Sequence, residues 1–303
     1  RLYFVRHGEA RHNVEPEAWR DRDPPLTPRG EAQAAALRGH PLLANLARPL
    51  LVAVSPLRRT LQTATFAIPQ GELAGGEARF VANSDLQETT RFPCDMGTPQ
   101  AITGRDFPHV DFSELDGEAW VEKEFPHHHG RWERLKRFLR WCAAQPAEEL
   151  VVVTHQNVCR MFFGVLLENC DVLGVRLDRR TRRFSPLAYS APNPATLRWT
   201  ATKGTGPGVR FLLAGPLGGA PPGMDLGDGW PLLHYAAGCG NLEVVLGLLH
   251  CRADVARRGS CGRTAAEWAA EGHWTEVVQV LGAGVHADAD AAAAACAAAP
   301  SLG

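Results

Sequence analysis

The sequence predicts an α/β fold with a mostly parallel central sheet, followed by a smaller all-α unit built from repeats. Short aliphatic segments without polar alternation precede helical patterns, which is typical of strands that helices cover on both faces. A 33-residue pattern then repeats toward the carboxyl end, which is typical of stacked helix pairs. The 303 residues exceed the usual size of one domain, so we expect two domains.

Four segments are predicted as strands: residues 2–5, 50–54, 79–82 and 150–153. Thr27 and Pro28 supply an N-cap and a first-turn proline for a helix that we expect to run from Glu31 toward Leu43, with Pro41 ending or kinking it. Further helices are predicted over residues 57–67, 130–144 and 156–167. Residues 196–201 and 209–213 predict a late β-hairpin across a Gly/Pro turn.

The composition is that of a globular protein without a dominant charge. Hydrophobic residues make up 45% and charged residues 21%, and the formal net charge is -1. With a net charge so near zero, the whole molecule has no electrostatic field that would attract nucleic acid or anionic lipid. We therefore expect neither as a partner. No apolar run approaches the roughly 20 residues that cross a bilayer, so no membrane span is predicted.

The cysteines and the first residue bear on the compartment. Eight Cys without a CxxC pair or regular spacing favour free thiols in a reducing, cytoplasmic environment. The chain begins at Arg1 and enters a strand pattern at once, so we expect any targeting peptide to lie outside it.

Changes in composition divide the chain into four parts. Residues 1–214 carry the α/β pattern, and residues 215–227 are rich in Gly and Pro, which predicts a linker. In residues 228–286 the segment from Asp228 is repeated from Cys261, and this unit resembles the ankyrin repeat. Two repeats bury little core alone, so we expect them to dock on the first domain or to have lost neighbours. Residues 287–303 are an Ala-rich tail.

The most informative motif, Arg6-His7-Gly8-Glu9-Ala10-Arg11-His12-Asn13, directly follows the first predicted strand. Ligands gather at the carboxyl ends of strands in open α/β sheets. An imidazole beside a guanidinium at this position indicates an anionic partner.

Four other motifs occur in order after this one: Leu26-Thr27-Pro28-Arg29-Gly30, the run from Ser55 to Ala64, Leu86-Gln87-Glu88 and Val153-Thr154-His155. Together the five resemble the histidine phosphatase, or phosphoglycerate-mutase-like, superfamily. The resemblance covers residues 1 to about 213 and implies a three-layer phosphoglycerate-mutase-like fold. A narrower resemblance, to the phosphoglycerate-mutase-like proteins of plants and fungi, is carried by Pro93-Cys94-Asp95, the run from Phe107 to Ser113, Trp120 and the run from Arg137 to Trp141.

The resemblance also implies roles for individual residues. His7 is the nucleophile that becomes phosphohistidine, Glu88 is the general acid and base, and Arg6, Arg59 and His155 hold the phosphoryl oxygens. Asn13 matches a position that also reaches the phosphoryl group. These residue types suit the chemistry, because phosphoryl transfer needs positioning and stabilisation of negative charge on the oxygens. The expected activity is hydrolysis of a phosphomonoester without metal or other cofactor.

Several positions keep simpler interpretations open. His155 could be an ordinary strand-end histidine, Glu88 could pair with Arg91, and Arg58 could face solvent. Cys94 fits a small buried residue better than a redox thiol, and Asp95 fits either a substrate contact or a loop cap. The triplet His127-His128-His129 lacks the spacing of a metal site, since three consecutive side chains do not converge on one ion.

The sequence defines the nucleophile more sharply than the substrate or the reaction class. In the plant and fungal proteins basic residues follow the Cys-Asp pair, whereas Met96-Gly97 stand here, and His127-His128-His129 replace an Arg-Glu pair. In cofactor-dependent mutases the residues Arg-His-Tyr-Gly follow the acid, whereas Thr89-Thr90-Arg91-Phe92 follow Glu88 here. This difference favours a phosphatase over a mutase.

An inert phosphate-binding module tethered by the repeats is the alternative from another class. Expected partners are a phosphorylated small molecule or phosphopeptide, and a protein bound through the ankyrin repeats.

Overall fold

The computed structural model describes residues 1–47, 49–69, 78–115, 119–122, 127–189, 194–213 and 228–282. The chain folds as two compact units. The first contains Arg1–Phe162 and Leu167–Ser185, and the second contains Phe163–Leu166 and Pro186–Gly303, each over its described residues. The predicted linker at 215–227 and the predicted tail at 287–303 lie outside the described residues.

The strands and helices are numbered in chain order. The strands are β1 Leu2–Arg6, β2 Leu50–Val54, β3 Ala78–Ala82, β4 Val110–Asp111, β5 Leu150–Thr154, β6 Val172–Leu177 and β7 Phe184–Tyr189. The helices are α1 Arg11–Val14, α2 Pro28–Ala36, α3 Arg58–Ala67, α4 Gln100–Asp106, α5 Ala119–Glu122, α6 His127–Ala144, α7 Gln156–Phe163, α8 Pro194–Lys203, α9 Gly206–Leu213, α10 Leu232–Gly238, α11 Leu242–His250, α12 Ala265–Glu271 and α13 Thr275–Gly282. Short 3-10 turns cover Pro16–Arg20, Leu37–Gly39, Ser84–Leu86 and Pro93–Asp95.

The described strands form one mixed, mostly parallel sheet in the order β4-β3-β2-β5-β1-β6-β7. The pairs β1–β5, β2–β5, β2–β3 and β3–β4 are parallel, whereas β6 pairs antiparallel with β1. Every residue of β1, β2 and β5 is buried, as expected for strands covered on both faces. The predicted fold class is therefore confirmed, and the carboxyl ends of β2, β5 and β1 lie side by side.

Two predicted helices end earlier than expected. Helix α2 begins as predicted, with the Thr27 hydroxyl accepting from the Gly30 amide, but it ends at Ala36 and passes into a 3-10 turn before Pro41. Helix α7 ends at Phe163 because Gly164 takes a left-handed conformation, with φ of 67°. The apolar pattern of the sequence continues to Leu167, so hydrophobic periodicity alone does not locate the carboxyl end of α7.

The predicted hairpin at 196–201 and 209–213 is wrong, because both segments are helical, in α8 and α9. Pro194 opens α8 at its first position, where a missing N–H costs nothing. Leu197, Thr200 and Ala201 are each 1% exposed, and their i, i+3, i+4 spacing forms one buried helical stripe. This packing overrides the strand preference of the Thr, Trp, Val and Phe side chains.

The described residues of the second unit form three helix pairs. Helix α10 packs against α8 and α12, and α11 packs against α9 and α13. Leu197, Val209, Leu232 and Leu248 are buried between these helices. The pair α8–α9 thus stands next to the repeat helices and supplies the third layer that two repeats lack.

Membrane-crossing segments are also absent from the described part of the chain. No helix there combines the length and the apolar character that a bilayer span requires.

Candidate active site

His7 follows β1 directly and is 3% exposed. Its amide donates to the carbonyl of Thr154 at 3.0 Å, which extends the parallel pairing with β5, and its carbonyl accepts from Asn169 Nδ2 at 2.9 Å. The ring atom Nδ1 lies 2.7 Å from the Gly8 carbonyl. Because a carbonyl only accepts, Nδ1 carries the proton and Nε2 presents a lone pair.

Arg59 connects this imidazole to the turn at Pro93–Asp95. It is the second residue of α3 and is fully buried. Its Nε donates to His7 Nε2 at 3.3 Å, its Nη1 to the Cys94 carbonyl at 2.7 Å, and its Nη2 to Asp95 Oδ1 at 2.9 Å. The three contacts fix the plane of the guanidinium beside the lone pair of His7.

Burial and nearby cations keep His7 neutral. Desolvation is the largest cause that lowers the pKa of His7 well below 6.5, and the positive charges of Arg59 and Arg6 lower it further. The hydrogen bond to Gly8 opposes this effect without reversing it. A neutral imidazole, whose Nε2 carries a lone pair and no proton, is the form that can attack an electrophile.

His155 follows β5 and is also fully buried. The ring centroids of His7 and His155 are 5.2 Å apart, so both imidazoles lie on the same side of the same sheet edge. His155 Nε2 lies 2.8 Å from the Ser55 hydroxyl. Ser55 itself follows β2, so adjacent strand ends supply both His155 and the group that orients it.

Arg6 ends β1 and is 7% exposed. Its Nη1 donates to the Leu167 carbonyl at 2.7 Å, while its buried Nε finds no acceptor among the described residues. Burial lowers the pKa of Arg6, and the negative charges of Glu168 and Glu88 oppose this shift. A buried N–H without an acceptor is costly, and a bound anion would satisfy it.

Glu88 lies on the segment after β3, and Asn13 lies in the short helix α1 after β1. Glu88 is 8% exposed, and its carboxylate accepts from the amides of Thr89 at 2.6 Å and Asn157 at 3.4 Å. Asn13 is exposed, and its Oδ1 accepts from the Ala10 amide at 2.9 Å. Asn13 therefore shapes the loop after His7 from outside the buried group.

The loop after β1 is held by close packing against the start of α2. A Cβ added to Gly8 would lie 2.6 Å from the Gly30 carbonyl oxygen, and one added to Gly30 would lie 1.9 Å from the Glu9 carbonyl oxygen. The Gly8 amide also donates to the Thr63 hydroxyl of α3 at 3.0 Å. The backbone beside His7 is therefore fixed from two helices.

The simpler interpretations of several positions can now be compared with their contacts. Arg58 pairs with Asp106 at 2.6 Å instead of extending free into solvent. Asp95 binds Arg59 and the Thr90 hydroxyl, so it positions the guanidinium. Cys94 is 1% exposed, as expected for a small buried residue. Among the residues that the structure describes, no three His, Cys, Asp or Glu side chains group as a metal site would require.

Sequence analysis missed the supporting residues Ser55, Asn169 and His12 as parts of the site. Ser55 follows a predicted strand, so its place at a strand end was a usable signal. Asn169 stands beyond α7 in a loop whose path no local pattern predicts. His12 is 8% exposed, and its ring centroid lies 5.8 Å from that of His7.

The fold brings two buried imidazoles and two buried guanidiniums together at the carboxyl ends of parallel strands, a set of donors that suits an anion. The chain belongs to the histidine phosphatase superfamily (branch 1), whose family model matches residues 2–201. The ankyrin repeat model matches residues 228–260. Membership of this superfamily assigns the chain to enzymes with phosphatase or mutase-like activity, and the ankyrin repeat is a module of protein interaction.

Comparison with individual proteins gives more distant similarities. A probable phosphatase of Schizosaccharomyces pombe is 27% identical over 166 residues, which cover 53% of this chain and 76% of that protein. The α-ribazole phosphatase of Shigella flexneri is 20% identical, with a TM-score of 0.40 over 61% of this chain and 93% of that one. A phosphoglycerate mutase of Thermus thermophilus is 24% identical, with a TM-score of 0.35 over 63% of this chain and 99% of that one.

Proposed function

We propose that the chain is a phosphomonoester hydrolase that works without a metal, through a phosphohistidine intermediate on His7. The observation that carries the proposal is the grouping of His7, His155 and Arg59 at one sheet edge, with His7 Nε2 3.3 Å from Arg59 Nε and the two imidazoles 5.2 Å apart. A mutase would use the same nucleophile, and the residues after Glu88 favour hydrolysis.

In the first step His7 Nε2 attacks phosphorus and forms an N–P bond while the bond from phosphorus to the ester oxygen breaks. Glu88 gives its proton to that leaving oxygen, so an alcohol departs. The Nδ1–H bond to the Gly8 carbonyl holds the ring in the tautomer that the attack needs. It also disperses the positive charge that the imidazole gains.

Negative charge on the three other phosphoryl oxygens is met by Arg59, Arg6 and His155. These donors are buried, and charges in such a setting are screened much less than in water. The Asp95 carboxylate and the Cys94 carbonyl hold Arg59 before substrate arrives, so little reorganisation is needed.

In the second step water attacks phosphorus, Glu88 takes a proton from that water, and the N–P bond breaks to release inorganic phosphate and neutral His7. Glu88 thus returns to its protonated form and the cycle closes. Splitting the displacement into two in-line steps lowers each barrier relative to direct attack by water.

The proposal is tested by release of inorganic phosphate from an aryl phosphate in the presence of a chelator. We expect activity that chelation leaves unchanged and that falls by at least about 10³-fold in His7→Ala. His40→Gln is the matched control, because His40 lies outside the site on the loop after α2 and its loss should leave turnover unchanged. Rapid quenching in base should trap a phosphoryl group on His7 that is stable in base and is lost on later exposure to acid.

The same assay separates the alternatives. Conversion of one phosphoglycerate isomer into the other without net phosphate release would replace the hydrolase by a mutase. No turnover, together with capture of a protein partner through residues beyond 223, would favour an inert phosphate-binding module. Full activity in His7→Ala would refute the phosphohistidine route.

A further inference from the structure

Two large aromatic side chains are exposed together near the candidate active site. Trp19 is 43% exposed and Phe92 is 49% exposed, and their ring centroids are 5.1 Å apart with an interplanar angle of 86°. Single exposed apolar residues are common in folded proteins. Two exposed rings in contact form a larger continuous apolar surface than one residue does, and such surfaces mark binding sites. We call Trp19 and Phe92 the aromatic rim.

The aromatic rim is continuous with the nucleophile. The ring of Trp19 meets that of His12 edge to face, with centroids 5.8 Å apart, and His12 lies 5.8 Å from His7. His12 is buried, so the series of rings leads from the buried His7 outward to the exposed Trp19 and Phe92.

The backbone places Phe92 on the segment that carries the proposed acid. Phe92 comes four residues after Glu88, and its carbonyl accepts from the Asp95 amide at 2.8 Å. Asp95 in turn holds Arg59. Since the acid delivers its proton to the leaving oxygen, the leaving group lies on the side of the site that this segment forms.

Several guanidiniums on neighbouring segments are already engaged with protein groups. Arg11 pairs with Glu15 at 2.7 Å, and Arg58 pairs with Asp106. Arg22 donates to the Gly97 carbonyl at 2.7 Å. These cations are therefore not held ready for a second anionic group on the leaving group.

We infer that the aromatic rim selects phosphomonoesters whose leaving group carries an aromatic ring. The inference rests on the proposed function, because it takes the leaving group to depart from a phosphoryl group on His7. A ring that leaves with the alcohol or phenol packs edge to face or offset against Trp19 and Phe92, as aromatic pairs prefer. The chemistry is shared by small phenolic esters and by phosphotyrosine in peptides.

The test compares esters whose alcohols have similar acidity, so that leaving-group reactivity does not imitate ring recognition. The substrates are 2-phenylethyl, 2-cyclohexylethyl and ethyl phosphate. We expect kcat/KM for the phenyl ester to exceed that for the cyclohexyl ester by about 2- to 10-fold, the range that aromatic pairing supplies beyond burial. Equal values for the phenyl and cyclohexyl esters would overturn the inference.

Variants assign the preference to the aromatic rim. Trp19→Leu and Phe92→Leu should reduce the phenyl-to-cyclohexyl ratio toward one, whereas Trp19→Phe, which keeps a ring, should restore part of it. Trp274→Leu is the matched control, because Trp274 is equally exposed at 42% but belongs to the second unit. If the variants of the aromatic rim leave the phenyl-to-cyclohexyl ratio of kcat/KM unchanged, residues other than Trp19 and Phe92 recognise the ring, and the inference is overturned.

Binding of non-hydrolysable phosphonates separates this inference from the proposed function. Titration calorimetry with 2-phenylethyl and 2-cyclohexylethyl phosphonate reports ring selectivity whether or not turnover occurs. Selective binding without turnover supports the rim and refutes the hydrolase, whereas turnover without selectivity refutes the rim alone. Tighter binding of 3-phosphoglycerate than of the phenyl phosphonate would also overturn the inference.

A second arm distinguishes the two sources of the ring. We compare 1-naphthyl phosphate with a phosphotyrosine peptide, using a phosphoserine peptide of the same sequence as reference. A larger loss of kcat/KM in Trp19→Leu for one aromatic substrate than for the phosphoserine peptide supports ring selection and identifies its source, because the variant changes the ring contact and not the acidity of the leaving group. Equal losses for all three substrates contradict it.

Discussion

At the scale of single residues, Arg59 connects the candidate nucleophile to the rest of the site. Each of its three guanidinium nitrogens has a different partner: His7, Cys94 and Asp95. Both side chains of the Arg59–Asp95 pair are almost fully buried, at 1% and 4% exposure. The charge of Arg59 is thus compensated by a carboxylate that water does not reach.

This burial makes Asp95 important for stability as well as for positioning. Asp95→Ala leaves a buried guanidinium without its counter-charge, so we expect the free energy of unfolding to fall by about 3–5 kcal/mol. Asp95→Asn keeps the shape and one oxygen acceptor and should lose less. Urea unfolding of both variants measures the difference, and equal, small losses would show that the pair is not desolvated as the structure indicates.

A second prediction at the residue scale concerns the loss of folding stability that His12 causes as the pH falls. Burial is the largest cause that lowers the pKa of His12 to about 3, and the charge of Arg59 adds to it. The unfolded chain binds a proton below about pH 6.5 and the folded chain does not, so stability is lost as pH falls from about 6.5 to about 3. Between pH 8 and pH 5 this histidine alone should remove about 2 kcal/mol.

His12→Gln isolates that contribution, because glutamine does not titrate. The free energy of unfolding of the variant, measured in urea at pH 8 and pH 5, should fall about 2 kcal/mol less than that of the unmutated chain over this interval. Parallel losses in both chains would mean that His12 is protonated in the folded state.

At the scale of elements, the site depends on how closely α2 approaches the loop after β1. Sequence spacing located Thr27 and Pro28 at the start of α2, yet the reason for Gly30 is visible only in the fold. Its Cα faces the Glu9 carbonyl, and the space there is too small for a methyl group. The helix start thereby fixes the backbone that carries His7.

Gly30→Ala tests this packing. A Cβ 1.9 Å from the Glu9 oxygen must displace the loop, so we expect a loss of about 1–3 kcal/mol in stability together with reduced phosphatase activity. Gly39→Ala is the matched control, since a Cβ at Gly39 meets nothing within 4 Å. Urea unfolding and kcat/KM should separate the two variants, and equal behaviour would contradict the close approach.

The repeat period also appears in the backbone of the second unit. Gly229 and Gly262 both have left-handed φ, of 79° and 75°, and so do Gly240 and His273, of 67° and 58°. Each pair is 33 residues apart in the sequence. His234 is 1% exposed and its Nε2 lies 2.9 Å from the Arg263 carbonyl, so its side chain packs inside the unit and connects one repeat to the next.

At the scale of the whole molecule, the second unit takes its first layer from α8 and α9. These helices precede the ankyrin region, and α8 lies largely inside the stretch that the phosphatase family model matches. Their buried side chains Leu197, Ala201 and Val209 face a core that α10 and α11 complete. We propose that this unit begins before the boundary that composition indicated at residue 214.

A chain ending at residue 213 should therefore expose the apolar stripes of α8 and α9. We expect increased binding of a hydrophobic dye and rapid proteolysis within 194–213. A chain ending at residue 282, which keeps α10 to α13, is the control and should be protected like the full chain. Unchanged protection of 194–213 in the shorter chain would show that these helices do not depend on the repeats.

The sequence by itself determined the features that are local. Short, mostly apolar segments predicted β1, β2, β3 and β5, since a strand covered on both faces admits few polar residues. Five ordered motifs predicted the superfamily, and the resemblance that they carry implied that His7 and His155 belong to one site.

Only the tertiary structure decided the features that depend on contacts between distant segments. Ser55 and Asn169 orient the two histidine segments from elsewhere in the chain, and no local pattern encodes their distances. The composition of the segments at α8 and α9 favoured strands, and burial against α10 and α11 made them helices. The pairing of Trp19 with Phe92 joins two loops 73 positions apart in the sequence, because side-chain packing acts through space and not along the chain.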